Sequence, residues 1–471
     1  MSEKVSKIRS DYSTDARLKR WIFLLMPTRL SVFLFRKLVD KNRERNSIEA
    51  AKFIVDTNNI YPTRFYFLIG KFLRFSFALG DVKLSKSYVS EIIDSLKETR
   101  RDPSRRRAKC NQILNATSKL SPKQTSANGW KLVSLALSGL GFIRAGTIAR
   151  SYCLAAALSE VSSGNATSRT TSLVIKGLLE SRKFDEARQL IESHALSIDA
   201  LTADETYSDY LALLKQRRPE VRIESPVVES EVEKLFSSLV TGKSIALVAP
   251  GVIENEYGQE IDSHDTVFRV KFNGRSSMLD EKFVGRRCDI TGHNSDLLTL
   301  AKMKKFDSNK SISEAPDLKL IIAKKGDFGI IEEIPVKRMK GWSPTFLTTA
   351  TSGTLLLFEV LRASPKTLKL FGFDFYTNRQ IYNKALMSAY KANPIATDGD
   401  DPRSFDWSDD NFSIPRIARS HISHDLKSDF LLVKNLYELS GLIDGTPEVL
   451  EILNLTSDEY DARLEEVLGD W

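Results

Sequence analysis

Apolar residues along the first 220 positions recur at three- and four-residue spacing, with glycine and proline sparse inside the periodic segments. That period predicts amphipathic helices. Two stretches share an outline. Leu135-Ala136-Leu137-Ser138-Gly139-Leu140 is followed by Ala145 to Arg150, and Leu173-Val174-Ile175-Lys176-Gly177-Leu178-Leu179 by Phe184 to Arg188. Gly139 and Gly177, Ala149 and Ala187, and Arg150 and Arg188 are each 38 positions apart. The pattern changes after a charged, proline-containing stretch from Gln216 to Pro226 and a short predicted helix at 229–239. Ser244–Val248 is an apolar run ending in Ala249-Pro250-Gly251, which predicts a buried strand feeding a tight loop. Further strands are predicted at 266–270, 289–291, 318–323 and 368–371, with a helix at 352–362 among them. Alternating strands and helices predict an α/β fold, a mostly parallel sheet flanked by helices and preceded by an all-α domain. The expected divisions are a helical, repeat-like domain at 1–220, a linker and short helix at 221–243, an α/β domain at 244–445 and a C-terminal helical tail at 446–471. In such sheets ligands sit at the carboxyl ends of the strands, near a reversal of strand order.

The 38-residue offset and the paired small residues resemble tetratricopeptide-type helical hairpins, whose repeat is roughly 34 residues. An irregular helical domain fits the two copies as well. Either reading assigns residues 1–220 to docking or support, with no contact to a small substrate. Within them, 21–35 (WIFLLMPTRLSVFLF) is too short to span a membrane and contains Pro27 and Arg29. Arg17, Lys19, Arg20, Arg36 and Lys37 flank it. It reads either as a buried helix pair broken near Pro27 or as a segment seated on an anionic membrane surface.

Composition narrows the picture modestly. At 471 residues, with 42% hydrophobic, 28% charged and 9% aromatic positions, the chain is expected to fold as two or three domains. A net charge of +8 suits anionic partners such as nucleotide phosphates, acidic glycans or a phospholipid surface. The cysteines Cys110, Cys153 and Cys288 are odd in number and widely spaced, which predicts neither a disulfide framework nor a zinc site. Together with a polar, charged first twenty residues, they point to the cytoplasm, with the inner membrane face as a peripheral address. Val240-Thr241-Gly242-Lys243-Ser244 lacks the upstream glycine of a phosphate loop, since Ser237 holds its place.

Three motifs carry the chemistry. The first runs from 244 to 294, with Gly258-Gln259-Glu260-Ile261-Asp262-Ser263-His264-Asp265-Thr266-Val267-Phe268-Arg269 at its centre and Gly285-Arg286-Arg287 later. Gly251 lets backbone N–H groups approach a ligand closely. Asp262 and Asp265 are suited to pin the loop by accepting backbone hydrogen bonds, and Arg269 is expected to pair with one of them. The second is Thr349-Ala350-Thr351-Ser352-Gly353-Thr354 opening an apolar helix, then Phe371-Gly372-Phe373-Asp374-Phe375-Tyr376 closing a strand. Small hydroxyl residues at a helix start either cap it or present free N–H groups to an anion. The third is Ser423-His424-Asp425-Leu426-Lys427-Ser428-Asp429, with Ser423 as the expected cap and His424 at a helix N-terminus, where the dipole opposes a positive imidazolium. Asp429 lies about 140° round a regular helix from His424, too far for a direct pair.

Together these resemble the long, short and histidine motifs of the eukaryotic-type sialyltransferase family over roughly 240–440, as in a bacterial member. The Thr-Ser-Gly helix and Gly-x-Asp-Phe-Tyr turn are similar to those of other bacterial sialyltransferases. The resemblance implies an inverting transferase with a variant nucleotide-sugar fold. It would move an acidic 2-keto sugar, sialic acid or Kdo, from its CMP donor to a glycan or glycolipid hydroxyl, with a cell-surface polysaccharide as acceptor. His424 would be the general base. Ala249, Pro250, Gly251, Lys271, Asn273, Thr351, Ser352, Gly353, Gly372 and Asp374 would hold the donor, with Arg419 as a further phosphate contact. Asp262, Asp265, Arg269 and Asp429 would support the site. No metal, cofactor or nucleic acid is implied.

Several positions depart from the family pattern. Pro250 stands where the first-loop asparagine is usual, and Lys271 where the second is, unless Asn273 replaces it. Asp429 replaces the usual glutamate, and Cys288 has no later cysteine to pair with. Phe405-Asp406-Trp407 is the nearest match to the family's third motif. Two other readings stay open. Asp398-Gly399-Asp400-Asp401 has the form that chelates a metal and pyrophosphate, as a UDP- or GDP-sugar transferase requires. Pro250 and Lys271 also fit a helical-repeat binding protein with a degenerate catalytic domain. His264 and His293 are competing histidines, the latter a candidate phosphate contact.

Overall fold

Hydroxyl side chains set where many of the helices begin. The computed structural model describes residues 86–194, 230–272, 278, 280–293, 315–323, 330–331, 334–339, 345–378, 383 and 424–468. Among the described residues six helices precede residue 195: α1 (Lys86–Arg101), α2 (Arg106–Ser118), α3 (Ala127–Gly139), α4 (Ile143–Ser162), α5 (Ser168–Glu180) and α6 (Phe184–His194). Ser126 caps α3 by accepting from Gly129 N, and Thr167 caps α5 by accepting from Thr170 N. Such caps satisfy backbone donors that the first turn leaves open. The pairs α3–α4 and α5–α6 are helical hairpins that coincide with the two similar stretches of sequence. The copies have diverged: Arg150 is buried in an ion network, whereas its counterpart Arg188 pairs at the surface with Asp185.

After α7 (Glu231–Val240) the chain alternates. It forms β1 (Ser244–Val248), α8 (Gly258–Ser263), β2 (Thr266–Val270), α9 (Glu281–Val284), β3 (Ile290–His293), β4 (Leu320–Ala323), β5 (Ile330–Ile331), β6 (Ile334–Arg338), α10 (Ser352–Arg362) and β7 (Thr367–Phe371). Then come α11 (Leu426–Ser440), β8 (Ile443–Gly445), α12 (Pro447–Asn454) and α13 (Ser457–Val467). The strands make one sheet in the order β5-β6-β4-β3-β2-β1-β7-β8, parallel throughout except that β5 runs antiparallel to β6. The fold is therefore α/β with a mostly parallel sheet flanked by helices. The order reverses between β1 and β7: β2, β3 and β4 extend to one side of β1, and β7 and β8 to the other.

The sheet is buried on both faces, which is why its central strands read as apolar runs rather than alternations. Ile245 and Leu247 of β1 join Phe268, Leu356 and Phe358 on one side. Ala246 and Val248 join Ile261, Val267, Val284 and Phe371 on the other. The first side does not stop at the sheet. Trp130, Leu178, Phe430 and Tyr460 belong to the same connected core, with α13 packed on α4 and α11 on α5. The helices that precede the sheet thus complete its hydrophobic core. Among the described residues no helix is long and apolar enough to cross a membrane. The segment 21–35 lies outside them.

Candidate functional site

The strand-order reversal brings two loops into backbone contact. Beyond β1, Ala249 N donates to Phe371 O at 2.8 Å. Gly372, just past β7, has φ +67°, and a Cβ there would lie 2.9 Å from Ala249 O. A Cβ on Gly251 would run into the Gly372 carbonyl oxygen. Neither position accepts a side chain without displacing the other loop, which explains glycine at both. The Pro250 carbonyl accepts from Asn383 N at 2.9 Å and Asn383 Nδ2 at 3.2 Å. Asn383 is a contact of this loop that sequence reasoning missed.

The N-terminus of α10 adjoins these loops, since a Cβ on Gly353 would lie 3.2 Å from the Phe373 ring. Thr351 is the cap, its Oγ1 accepting from Thr354 N. The first main-chain bond of the helix runs from Leu355 N to Thr351 O, so the N–H groups of Ser352 and Gly353 precede the helical ladder. Both residues are half-buried. The turn after Gly372 is strained: Phe375 and Tyr376 have φ +46° and +65°, where non-glycine residues are uncommon. Asp374 braces it, Oδ1 accepting from Tyr376 N at 3.0 Å. Asp374 is half-buried as a residue, but its Oδ2 is enclosed. Burial pushes its carboxyl up to about 7.

His424 is half-buried and pairs in a parallel bridge with Thr349, two residues before the α10 cap. Asp425 N donates to Thr349 O at 3.1 Å. The cap of α11 is Asp425 rather than the expected Ser423, and the helix begins at Leu426. Asp425 Oδ1 accepts from Ser428 N at 3.1 Å and Oδ2 from Leu347 N at 2.6 Å. Burial acts to raise this carboxyl, but Arg150 and those two N–H groups outweigh it and hold it below the usual range. Asp429 Oδ2 accepts from Thr351 N at 2.9 Å, so Asp429 ties the start of α11 to the start of α10 and does not bond to His424. Burial pushes the Asp429 carboxyl up to about 7.

Further along the sheet edge, Lys271 follows β2 with φ +59°, and its N donates to Gly292 O at 2.8 Å. His293 ends β3, with Nε2 3.1 Å from Thr291 Oγ1. Burial, and then the Lys271 charge, push His293 down to about 4. Its imidazole therefore stays neutral at physiological pH. Asn273, Arg419, Asp398, Asp400 and Phe405-Asp406-Trp407 lie outside the described residues.

The supporting residues sit differently from one another. Asp262 accepts from Arg286 N at 2.7 Å and Arg287 N at 3.0 Å, holding the loop after α9. Asp265 accepts from Ser244 N and Oγ, both at 2.8 Å, at the opposite end of β1 from the glycine loop. Arg269 pairs with neither aspartate. It donates to Arg287 O at 2.7 Å and Val284 O at 2.6 Å, because β2 aims it beneath that loop and Asp262 is already engaged by the loop's N–H groups. All three cysteines are buried free thiols. Among the described residues no group of three or more His, Cys, Asp or Glu side chains is arranged to hold a metal.

No protein-family model matches the chain, and a search of curated proteins finds no match.

Proposed function

We propose that the chain is a glycosyltransferase of sialyltransferase type, moving an acidic 2-keto sugar from a CMP donor to a glycan hydroxyl. The observation that carries this reading is the meeting of four elements at the strand-order reversal: the Ala249–Gly251 and Gly372 loops, the α10 N-terminus, and the His424 segment bridged to the lead-in of α10. Open-sheet folds bind nucleotides at such a reversal. The CMP phosphate would lie against the N–H groups of Ser352 and Gly353, where the helix dipole favours an anion. Lys271 adds a positive charge two strands away from β7.

In the reaction, the acceptor hydroxyl oxygen attacks the anomeric carbon and the new glycosidic bond forms. The bond from that carbon to the phosphate oxygen breaks, and CMP leaves with the electron pair. The hydroxyl proton passes to His424. The α10 N–H groups meet the charge developing on the phosphate. Anchoring of His424 to Thr349 keeps the base and the phosphate site on one rigid unit. Sialic acid and Kdo both present a carboxylate beside the anomeric carbon, so one site chemistry serves either donor. A cytoplasmic setting, with residues 1–220 contacting a membrane surface or a protein, belongs to the same reading.

The test is transfer from CMP-sialic acid and CMP-Kdo by the full-length protein and by His424→Ala. The variant is expected to lose about a hundredfold or more in turnover, the range for a positioned base, with CMP affinity little changed. The acid limb of the pH profile at saturating donor should also vanish. Near-normal turnover in His424→Ala, or activity only with UDP- or GDP-sugars and a divalent metal, overturns the proposal.

A further inference from the structure

Arg150 lies buried in α4, within the helical layer, yet the hydrogen bonds of its side chain all leave that helix. Nε donates to Glu180 Oε1 at 3.0 Å and Nη2 to Glu180 Oε2 at 2.6 Å, at the end of α5. Nη1 donates to Asp425 Oδ1 at 2.7 Å, and Nη2 also reaches Ser428 Oγ at 2.6 Å. Ser428 Oγ in turn donates to Glu180 Oε2 at 2.6 Å. The guanidinium carbon sits 4.8 Å from the centroid of the Phe346 ring.

The residues that Arg150 grips are those that receive the lead-in to α10. Leu347 N donates to Asp425 Oδ2 and Phe346 N to Ser428 Oγ, at 2.6 and 2.9 Å. One guanidinium therefore fixes both sides of the Thr349–His424 bridge. Stability alone does not call for this arrangement, because apolar side chains of similar volume often serve as well as a buried ion network. What a planar, five-donor fork adds is direction. We infer that Arg150 is a positioning residue for His424, through which the helical layer sets the placement of the base. The inference rests on the proposed role of His424.

The experiment follows the ring resonances of histidine-labelled full-length protein, with His424 assigned by its loss in His424→Asn. Arg150→Lys keeps the charge but loses the fork, and Glu180→Gln keeps the fork but weakens its anchor. In both, the His424 resonance is expected to shift or broaden while those of His264 and His293 hold. Turnover at saturating donor should fall roughly tenfold to a hundredfold, the scale of a small misplacement of a reacting group, with CMP affinity within about twofold. An unmoved His424 resonance in a folded variant overturns the inference, even where the melting temperature drops. Equal movement of all the histidines, or failure of both variants to fold, assigns the network to stability alone and overturns it too. If the wild-type protein binds no CMP, the functional proposal fails by itself. The resonances then still decide whether Arg150 places His424.

Discussion

Asp429 and Asp374 are two enclosed carboxyls at the candidate site, and burial raises both to about 7. In the folded state each holds its proton more tightly than in the unfolded chain, where an aspartate titrates near ~3.9. Their contribution to stability is therefore fully present below about pH 4 and is lost as pH rises through about 7, on the order of a few kcal/mol for each. The melting temperature is expected to fall between pH 5 and pH 8. Asp429→Asn should flatten that slope, since an amide oxygen still accepts from Thr351 N and carries no charge to bury. A variant with the same slope as wild type places the titrating group elsewhere. His293 runs in the opposite sense: its imidazole is pushed down, so its neutral form opposes stability only as pH falls below its ordinary range.

At the scale of elements, the glycine loops are the most exacting part of the structure. Gly251→Ala must part β1 and β7 at their carboxyl ends, because the added methyl meets the Gly372 carbonyl. Overpacking of this kind costs about 1–3 kcal/mol. CMP binding is expected to weaken by tenfold or more while the far-ultraviolet spectrum stays native, and calorimetric titration would show it. Unchanged affinity would put the nucleotide elsewhere. These loops are legible because glycine closes apolar runs at 251 and 372, β1 because Ser244–Val248 is apolar after its first residue, and β2 because Thr266–Val270 is rich in β-branched and aromatic residues despite Arg269. Ile334–Arg338 was not: Pro335 and two cations hide the strand, and Lys337 is buried there only because Glu359 and Glu233 pair with it. The start of α11 reads two residues early in the sequence, because Asp425 rather than Ser423 caps it, with Arg150 holding the Asp425 carboxylate. Lys427, Ser428 and Asp429, polar residues of its first turn, are buried against Asp461, Glu180 and Thr351, partners far away in sequence. The Arg150 clamp had no local signal, since Asp425 lies 275 positions away in sequence.

Across the whole molecule, helices from the region that the sequence assigns to docking or support complete the core of the sheet. Trp130 and Leu178 share one cluster with Leu247, Phe358 and Tyr460. A chain beginning at Val227 would uncover that face and leave Asp425 and Ser428 without Arg150. Loss of one partner of a buried ion pair alone costs about 3–5 kcal/mol. Such a chain is expected to be aggregated or molten, with no cooperative thermal transition; a well-folded product that binds CMP would show the helices to be dispensable. The proposed function makes the strand-order reversal a metal-independent CMP site. Titration of CMP, UDP and GDP into the full-length protein in EDTA, followed by calorimetry, tests it most directly. Saturable binding of CMP is expected, persisting in EDTA, exceeding that of UDP and GDP, and weakening in Gly251→Ala. Absence of CMP binding, or binding of UDP or GDP that appears only with manganese or magnesium, would contradict it.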